Sequence, residues 1–281
     1  MEISFYLCDK ETSGMEKFVM AGDTPVRYAD AGRGEQVVLL LHGYLESIEV
    51  WEEFAGALGR QYRVICVDLP GHGFSDWGGR RVIGIDYMAD TVAAVLDAAG
   101  VERCTAVGHS MGGYVALALA VNHPRRVEGL VLFHSSPNAD SPEKAANRLR
   151  EIELVEAGKK EMLARVNPGK GFATANLRRC AEAIGELAEQ VMMTDDEAIA
   201  GVLRGMAERP DRNEAMRRLS VPELMIFGRD DNYIPVPAAE AMAQAQPQAQ
   251  VVWLDGAGHM GFIEQPDQSL AILTDFLTSI R

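Results

Sequence analysis

Short runs of apolar residues recur along this chain, separated by stretches whose apolar residues fall at helical spacing. Continuous runs at 36–41, 62–67 and 127–133 are typical of strands buried on both faces of a sheet. The segment 86–99 instead has apolar residues at every third or fourth position and stops at Gly100, as an amphipathic helix does. Strands that alternate with helices predict a mostly parallel central sheet with helices on both faces, an α/β fold.

The pattern changes in the middle of the chain. From about residue 137 to 219 no strand pattern occurs, and segments rich in Ala, Glu, Arg, Leu and Met predict an all-helical insertion. We expect it to cover the carboxyl edge of the sheet as a cap or lid. We place breaks between its helices at Gly158, Asn167-Pro168-Gly169, Thr194-Asp195 and Pro210.

These patterns divide the chain into four parts. We expect an N-terminal arm at 1–15, the first part of the α/β core at 16–136, the helical cap at 137–219 and the second part of the core at 220–281. The core should begin with an antiparallel hairpin at the sheet edge, formed by 17–22 and 25–32. Strands resume at 221–227 and 250–254, and a last helix is predicted at 268–279.

Composition and charge exclude several classes of protein. The chain has 281 residues, 47% of them hydrophobic, and a net charge of −14, which argues against nucleic acid as a partner. No apolar run is long enough for a membrane span, and the first residues lack a signal-peptide pattern, so we expect a cytoplasmic protein. The four cysteines form no C-x-x-C and the six histidines show no metal-ligand spacing, which predicts no disulfide, no metal and no cofactor.

The candidate nucleophile is Ser110, in the stretch Thr105–Tyr114 (TAVGHSMGGY). An apolar strand runs through Gly-x-Ser-x-Gly straight into an Ala- and Leu-rich helix, an arrangement known as a nucleophile elbow. The serine must adopt a strained backbone conformation, and the turn leaves room only for glycine at 108 and 112. The turn should present the Ser110 hydroxyl at the start of the helix.

Polar residues cluster where the predicted strands end. In parallel sheets ligands bind at the carboxyl ends of the strands, so these residues predict the position of a site. They are His42, Asp68, Ser110, His134, Asp231 and His259. We interpret His42, His72 and His123 as structural, and His109 as packing behind the elbow. His134 could line the pocket or make a local hydrogen bond in its loop.

Five motifs in order resemble those of the α/β-hydrolase superfamily in its cap-bearing form, over residues 16–280. They are LHGYLES (41–47), DLPGHGFSD (68–76), GHSMGG (108–113), IFGRDDNYIP (226–235) and GAGHMGFIEQPD (256–267). The resemblance implies a catalytic serine, acid and histidine in that order, which this chain supplies as Ser110, Asp231 and His259. It also implies an oxyanion hole formed by the backbone N–H groups of Met111 and Tyr44.

The roles of these residues follow from acid–base chemistry. A serine hydroxyl needs an adjacent base, and an imidazole can accept its proton near neutral pH. A carboxylate must orient that imidazole, and the family pattern Gly-x-x-Asp counted from Gly228 selects Asp231 over its neighbour Asp230. We therefore expect Asp230 to be a solvated loop residue.

Serine at the elbow excludes the epoxide hydrolases and haloalkane dehalogenases of this superfamily, which attack with aspartate. We expect hydrolysis of a small-molecule carboxylic ester with a small to medium acyl group, through an acyl-enzyme. A carbon–carbon (diketone) hydrolase, lactonase or perhydrolase, and a ligand-binding receptor built on the same fold, are the alternatives; the oligomeric state is left open. The cap also offers eight apolar residues, most of which should pack its helices together, and the flexible methionines among them would suit an apolar acyl pocket. They are Met162, Leu163, Phe172, Leu177, Met192, Met193, Leu203 and Met206.

Overall fold

The computed structural model describes residues 15–280. Within that range eight strands form a single sheet. The strands are β1 (Met15–Ala21), β2 (Thr24–Ala31), β3 (Val37–Leu41), β4 (Arg63–Val67), β5 (Cys104–His109), β6 (Val127–Phe133), β7 (Glu223–Gly228) and β8 (Gln250–Leu254). Their order across the sheet is β1-β2-β4-β3-β5-β6-β7-β8. β2 is antiparallel to both β1 and β4, and all other neighbours are parallel, which confirms the predicted fold class.

Helices cover both faces of the sheet. They are α1 (Glu52–Leu58), α2 (Ile85–Ala98), α3 (Met111–Asn122), α9 (Val236–Ala245), the short α10 (Gly261–Glu264) and α11 (Pro266–Ser279). On β3, Leu39 and Leu41 pack in one buried cluster with α2 and α3, whereas Val38 and Leu40 pack in a second with α1 and α11. Burial on both faces explains why this strand is a continuous apolar run.

The insertion between β6 and β7 is helical, as predicted. It consists of α4 (Pro142–Glu156), α5 (Lys160–Lys170), α6 (Ala181–Met193), α7 (Asp196–Glu208) and α8 (Asn213–Arg217). The break expected at Pro168 was wrong, because α5 continues through it to Lys170. Pro168 lies in the last turn of the helix, where the Gly171 N–H donates to the carbonyl of Pro168, three residues earlier (3.1 Å). Because Pro168 is so close to the end of the helix, its missing N–H does not divide a long series of backbone hydrogen bonds.

The N-terminal hairpin is present at the edge of the sheet, with β1 outermost. Met15, assigned to the arm from the sequence, already belongs to β1, and the rest of the arm lies outside the described residues. Cys66, Cys104 and Cys180 are free and buried, and Cys8 lies outside the described part. No helix between residues 15 and 280 is long and apolar enough to cross a membrane.

A buried ion pair holds the loop that follows β4. The carboxylate of Asp68 accepts hydrogen bonds from Arg27 Nε (2.6 Å), Ile48 N (2.8 Å) and Phe74 N (2.9 Å). Arg27 and Asp68 are both buried, and the guanidinium also reaches Glu49 at 2.6 Å. Asp68, which the sequence grouped with the site, therefore organises the fold instead.

We expect Asp68→Asn to lower the free energy of unfolding by about 3 kcal/mol, because it leaves the buried Arg27 charge with weaker partners. The amide also places N–H hydrogens where the aspartate accepted them. Urea denaturation at pH 7 measures the change. Asp90→Asn, at an exposed aspartate paired with His123, is the matched control and should change the free energy by less than about 1 kcal/mol. Equal effects of the two substitutions would contradict this role of Asp68.

Candidate active site

Ser110 lies at the sharp turn between β5 and α3, in a strained conformation. Its φ is 50° and its ψ is −115°, a region that residues with a side chain rarely adopt. Two hydrogen bonds hold the turn, one from Ser110 N to the Phe133 carbonyl (2.9 Å) and one from Ser135 Oγ to the Ser110 carbonyl (2.6 Å). The surrounding structure therefore imposes the strain.

The glycines of the motif are required by close contacts of the backbone. A Cβ atom on Gly108 would lie 2.2 Å from the Gly112 carbonyl oxygen. One on Gly112 would lie 2.2 Å from the Leu41 carbonyl oxygen at the end of β3. A Cβ atom on Gly113 would meet Ser135 Oγ at 2.2 Å. The elbow thus packs directly on the two neighbouring strands.

His259 and Asp231 form a hydrogen-bonded pair. His259 Nδ1 lies 2.7 Å from Asp231 Oδ2, and Asp231 Oδ1 accepts from the backbone N–H groups of Tyr233 (2.7 Å) and Ile234 (3.0 Å). Burial alone would raise the pKa of Asp231, but the charge of His259 and hydrogen bonds from His134 and His259 outweigh it. They hold the pKa of Asp231 far below its usual range, so the carboxylate stays ionised.

Asp230 lies beside this pair without joining it. Its side chain is exposed, and its backbone N–H donates to the Ala257 carbonyl (2.9 Å). The structure brings Asp231, and not Asp230, to His259.

His134 lies behind the pair, in a left-handed conformation with a φ of 48°. Its ring borders the cavity described below, but its side chain is fully buried. Nδ1 lies 3.5 Å from Asp231 Oδ2 and 3.1 Å from Gly228 N, and Nε2 lies 3.2 Å from Gly261 N. Burial lowers the pKa of His134 to about 4. Both ring nitrogens face protein groups, which leaves neither of them for a substrate.

The two expected oxyanion donors lie at the ends of neighbouring strands. Met111 is the first residue of α3, so its N–H has no acceptor within the helix. Tyr44 lies in the turn that follows β3, and within residues 15–280 its N–H makes no hydrogen bond to another backbone group. Two such free N–H groups can bind a negatively charged oxygen.

A second buried pair lies beside the first and was not predicted. Glu46 Oε2 is 3.0 Å from His109 Nδ1, and His109 Nε2 is 2.9 Å from the His259 carbonyl oxygen. Glu46 stands in a polar stretch typical of a surface loop, so no sequence signal indicated that its side chain is buried. His109 is thus linked to His259 as well as packed behind the elbow.

Ser110 and His259 line one cavity of about 420 Å³ beneath the helical insertion. The insertion contributes mainly polar side chains to it, among them Asn147, Arg148, Glu151, Asn167 and Lys170. Glu151 is half-buried and accepts a long hydrogen bond from Tyr44 Oη (3.5 Å). The cap side of the cavity is therefore lined mostly by charged and polar groups, with Leu187, Val191 and Met206 as its apolar part.

This lining corrects the predicted apolar acyl pocket. Of the four cap methionines proposed for it, Met206 is the one that reaches the cavity. Leu163, Phe172 and Leu203 are buried in packing, whereas the other four are exposed: Met162, Leu177, Met192 and Met193. Helical spacing identified an apolar face but could not distinguish packing between helices from contact with the cavity.

The remaining predicted residues lie away from the cavity. His42 Nε2 accepts from Leu69 N (3.0 Å), and the rings of His42 and His72 are 5.1 Å apart. His123 Nε2 lies 2.7 Å from Asp90 Oδ1. These contacts belong to the scaffold.

The described residues contain one group with the composition of a metal site, formed by His134, Asp231 and His259. Its ligand atoms lie within 4.8 Å of one another. The ligand atoms of Asp231 and His259 already face each other. The two ring nitrogens of His134 face backbone N–H groups, whose hydrogens would repel a cation. The group fits a hydrogen-bond network better than a metal centre.

Comparison with known proteins agrees with this geometry. A family model described as the alpha/beta hydrolase family matches residues 38–272, and the chain belongs to that family. It is 31% identical to a pimeloyl-[acyl-carrier protein] methyl ester esterase of Aeromonas hydrophila over 88% of this chain and 96% of that one. It is 27% identical to a 2-hydroxy-6-oxononadienedioate/2-hydroxy-6-oxononatrienedioate hydrolase of Paraburkholderia phymatum, over 92% and 93% of the two chains.

A thermophilic esterase from Thermogutta terrifontis, solved with malate bound, has a similar structure. The TM-score is 0.87 at 31% identity, over 95% of this chain and 99% of that one. Membership of the family makes this chain a hydrolytic enzyme.

We expect Gly112→Ala to destabilise the protein by at least about 3 kcal/mol, because its methyl group would overlap the Leu41 backbone. Gly56→Ala is the matched control, since a Cβ atom there meets nothing within 4 Å. In the middle of α1 it should stabilise the protein by about 0.5–1 kcal/mol. Urea denaturation of both variants tests the contact, and a stable Gly112→Ala variant would show that the elbow can relax.

Proposed function

We propose that the protein is a serine hydrolase that cleaves small to medium carboxylic esters through a Ser110–His259–Asp231 triad. The observation that carries the proposal is the 2.7 Å contact between His259 and the ionised Asp231, at a cavity that Ser110 also lines. The strained elbow at Ser110 and the family of the chain support it.

The reaction begins with attack of Ser110 Oγ on the ester carbonyl carbon while His259 Nε2 takes the hydroxyl proton. The carbonyl oxygen becomes an oxyanion, which the N–H groups of Met111 and Tyr44 stabilise. As the intermediate collapses, the C–O bond to the alcohol breaks and His259 returns the proton to the leaving oxygen. A water molecule, deprotonated by His259, then hydrolyses the acyl-enzyme to release the acid and restore Ser110.

Asp231 orients the base during these steps. Its Oδ2 accepts the Nδ1 hydrogen of His259, which leaves Nε2 as the nitrogen free to accept the serine proton. Because Asp231 stays ionised in its buried position, it also stabilises the imidazolium that forms in each half of the reaction.

The cavity supports an ester of limited size with polar groups. A volume of about 420 Å³ suits a small-molecule ligand. Near Tyr44 the cap presents the carboxylate of Glu151, whose pKa is raised by burial. The neighbouring Arg148 is occupied by Asp140, through contacts to both carboxylate oxygens. A neutral acyl chain with hydroxyl or amide groups fits this wall better than a long hydrocarbon chain or an anionic one.

A carbon–carbon hydrolase is the second candidate, favoured by the 27% identity to the dienedioate hydrolase of Paraburkholderia phymatum. Two features oppose it. Relatives of that kind are expected to carry a Trp soon after the catalytic histidine, where this chain reads Met260-Gly261-Phe262. The Glu151 carboxylate near Tyr44 would also repel an anionic group placed beside it, although Lys144 and Lys170 line other parts of the cavity.

We expect wild-type protein to hydrolyse p-nitrophenyl esters from acetate to octanoate, with the highest kcat/KM at short or medium chains. Ser110→Ala should lose at least about 10⁴-fold in kcat, because it removes the nucleophile. Asp231→Asn should lose about 10⁴-fold through the wrong imidazole tautomer. Asp230→Asn, the matched control at the exposed neighbour, should stay within twofold of wild type.

Labelling with a fluorophosphonate probe separates the alternatives. Labelling of Ser110 without cleavage of any ester would favour the carbon–carbon hydrolase. Absence of both labelling and ester cleavage would contradict the triad and favour a binding protein on the same fold.

We expect Glu151→Gln to raise kcat/KM about tenfold for an ester whose acyl chain ends in a carboxylate, such as mono-p-nitrophenyl adipate, by removing charge repulsion. The measurement is the ratio of kcat/KM for this ester to kcat/KM for the uncharged hexanoate ester, because a general loss of activity lowers both values equally. Glu153→Gln, at an exposed position of the same helix, is the control. An unchanged ratio would show that Glu151 does not face the acyl chain.

A further inference from the structure

The pair formed by Glu46 and His109 is a buried group of charges beside the site that the proposed reaction does not use. His109 is fully buried and Glu46 almost so. Burial alone would lower the pKa of His109, but the charge and hydrogen bond of Glu46 outweigh it and raise that pKa. The pKa of Glu46 is lowered in turn, chiefly by His109 acting against burial. The two groups therefore form an ion pair.

The hydrogen bonds of His109 also indicate that both of its ring nitrogens are protonated. His109 Nε2 faces the His259 carbonyl oxygen at 2.9 Å, which can only accept, so Nε2 carries a hydrogen. Nδ1 faces Glu46 Oε2 at 3.0 Å, and that oxygen also accepts from Gly43 N at 2.6 Å. An oxygen that already accepts the Gly43 hydrogen suits an imidazolium donor, so both ring nitrogens of His109 donate.

Glu46 closes the turn that carries the expected oxyanion donor Tyr44. The turn runs from Gly43 to Glu46, with a long hydrogen bond from Glu46 N to the Gly43 carbonyl (3.4 Å). Leu45 within it has a φ of 62°, which is strained for a leucine. The carboxylate bond to Gly43 N therefore holds a turn that its own backbone geometry disfavours.

The contacts leave no room for adjustment at Gly43. A Cβ atom there would lie 2.7 Å from Glu46 Oε1 and 2.9 Å from His109 Nδ1. The turn, the pair and the elbow are thus packed as one unit, since His109 directly precedes Ser110 in the chain.

We propose that Glu46 and His109 are positioning residues that fix the Tyr44 N–H and the backbone of His259 in place relative to Ser110. One imidazole joins three parts of the site: the oxyanion turn through Glu46, the elbow through the chain, and the His259 loop through its carbonyl. The inference rests on the proposed triad but not on the identity of the ester.

Three variants remove different contacts of the Glu46–His109 pair. His109→Asn places an amide N–H near the position of Nδ1 and keeps the bond to Glu46 while losing the one to His259. His109→Gln places its amide near Nε2 and keeps the bond to His259 while losing the one to Glu46. Glu46→Gln removes the negative charge, so its amide oxygen accepts from Gly43 N and His109 Nδ1 more weakly than the carboxylate does. His123→Asn, at a half-exposed histidine far from the cavity, is the control.

We expect each of the three variants to lower kcat for p-nitrophenyl esters about 10- to 100-fold while KM stays within twofold, because a displaced oxyanion donor or a displaced His259 acts on the transition state. The rate constant for fluorophosphonate labelling of Ser110 should fall in parallel. His109→Ala, which loses both bonds, should be the slowest, and the Asn and Gln variants should recover part of its loss. Labelling amplitude counts the folded active sites, so misfolded protein does not enter the rate.

Two results would overturn the inference. Variants that label at the wild-type rate would show that the pair serves packing alone. A rise in KM with an unchanged kcat would place Glu46 in substrate binding instead. A wild-type protein that neither labels nor cleaves esters would overturn the triad itself, which separates failure of the proposed function from failure of this inference.

Discussion

The strained turn at Ser110 is the constraint on which the rest of the site depends. A φ of 50° at a serine is unfavourable, and it persists because the backbones of β3 and β6 enclose the turn on both sides. The same contacts bring Leu41, and with it the turn that follows β3, against the start of α3. Because the elbow lies so close to the neighbouring strands, Ser110 and Tyr44 line the same cavity.

Buried charges follow a consistent rule around this turn. Asp231 is paired with His259, Glu46 with His109, and Asp68 with Arg27. Each carboxylate also accepts a backbone N–H group from the loop that follows a strand. An unpaired charge at these depths would be costly, whereas a paired one fixes the loop that supplies its hydrogen bonds. Three loops at the carboxyl edge thus gain defined conformations from three buried carboxylates.

Sequence reasoning succeeded where a residue type or period has one physical explanation. The runs that become β3 and β6, and the glycines at 108 and 112, could be interpreted because continuous burial and a crowded turn leave few alternatives. It failed where the outcome depends on packing between distant segments. Glu46 resembled a surface residue because its partner His109 stands 63 positions away. Met206 of the cap reaches the cavity, but the other three methionines proposed with it are exposed, because the sequence does not show which face of a helix meets the cavity.

The helical cap also contacts the turn that follows β3. Glu151 on α4 contacts Tyr44 Oη, so the helical insertion touches the residue whose N–H is the expected oxyanion donor. Glu46 holds the same turn from the side of the core. The turn is therefore supported by a fixed, buried carboxylate on one side and by a half-buried one on the other. A substrate that displaces Glu151 from Tyr44 would loosen the outer support and leave the inner one, so the proposed role of the buried pair is to maintain the expected oxyanion geometry while the cavity is occupied.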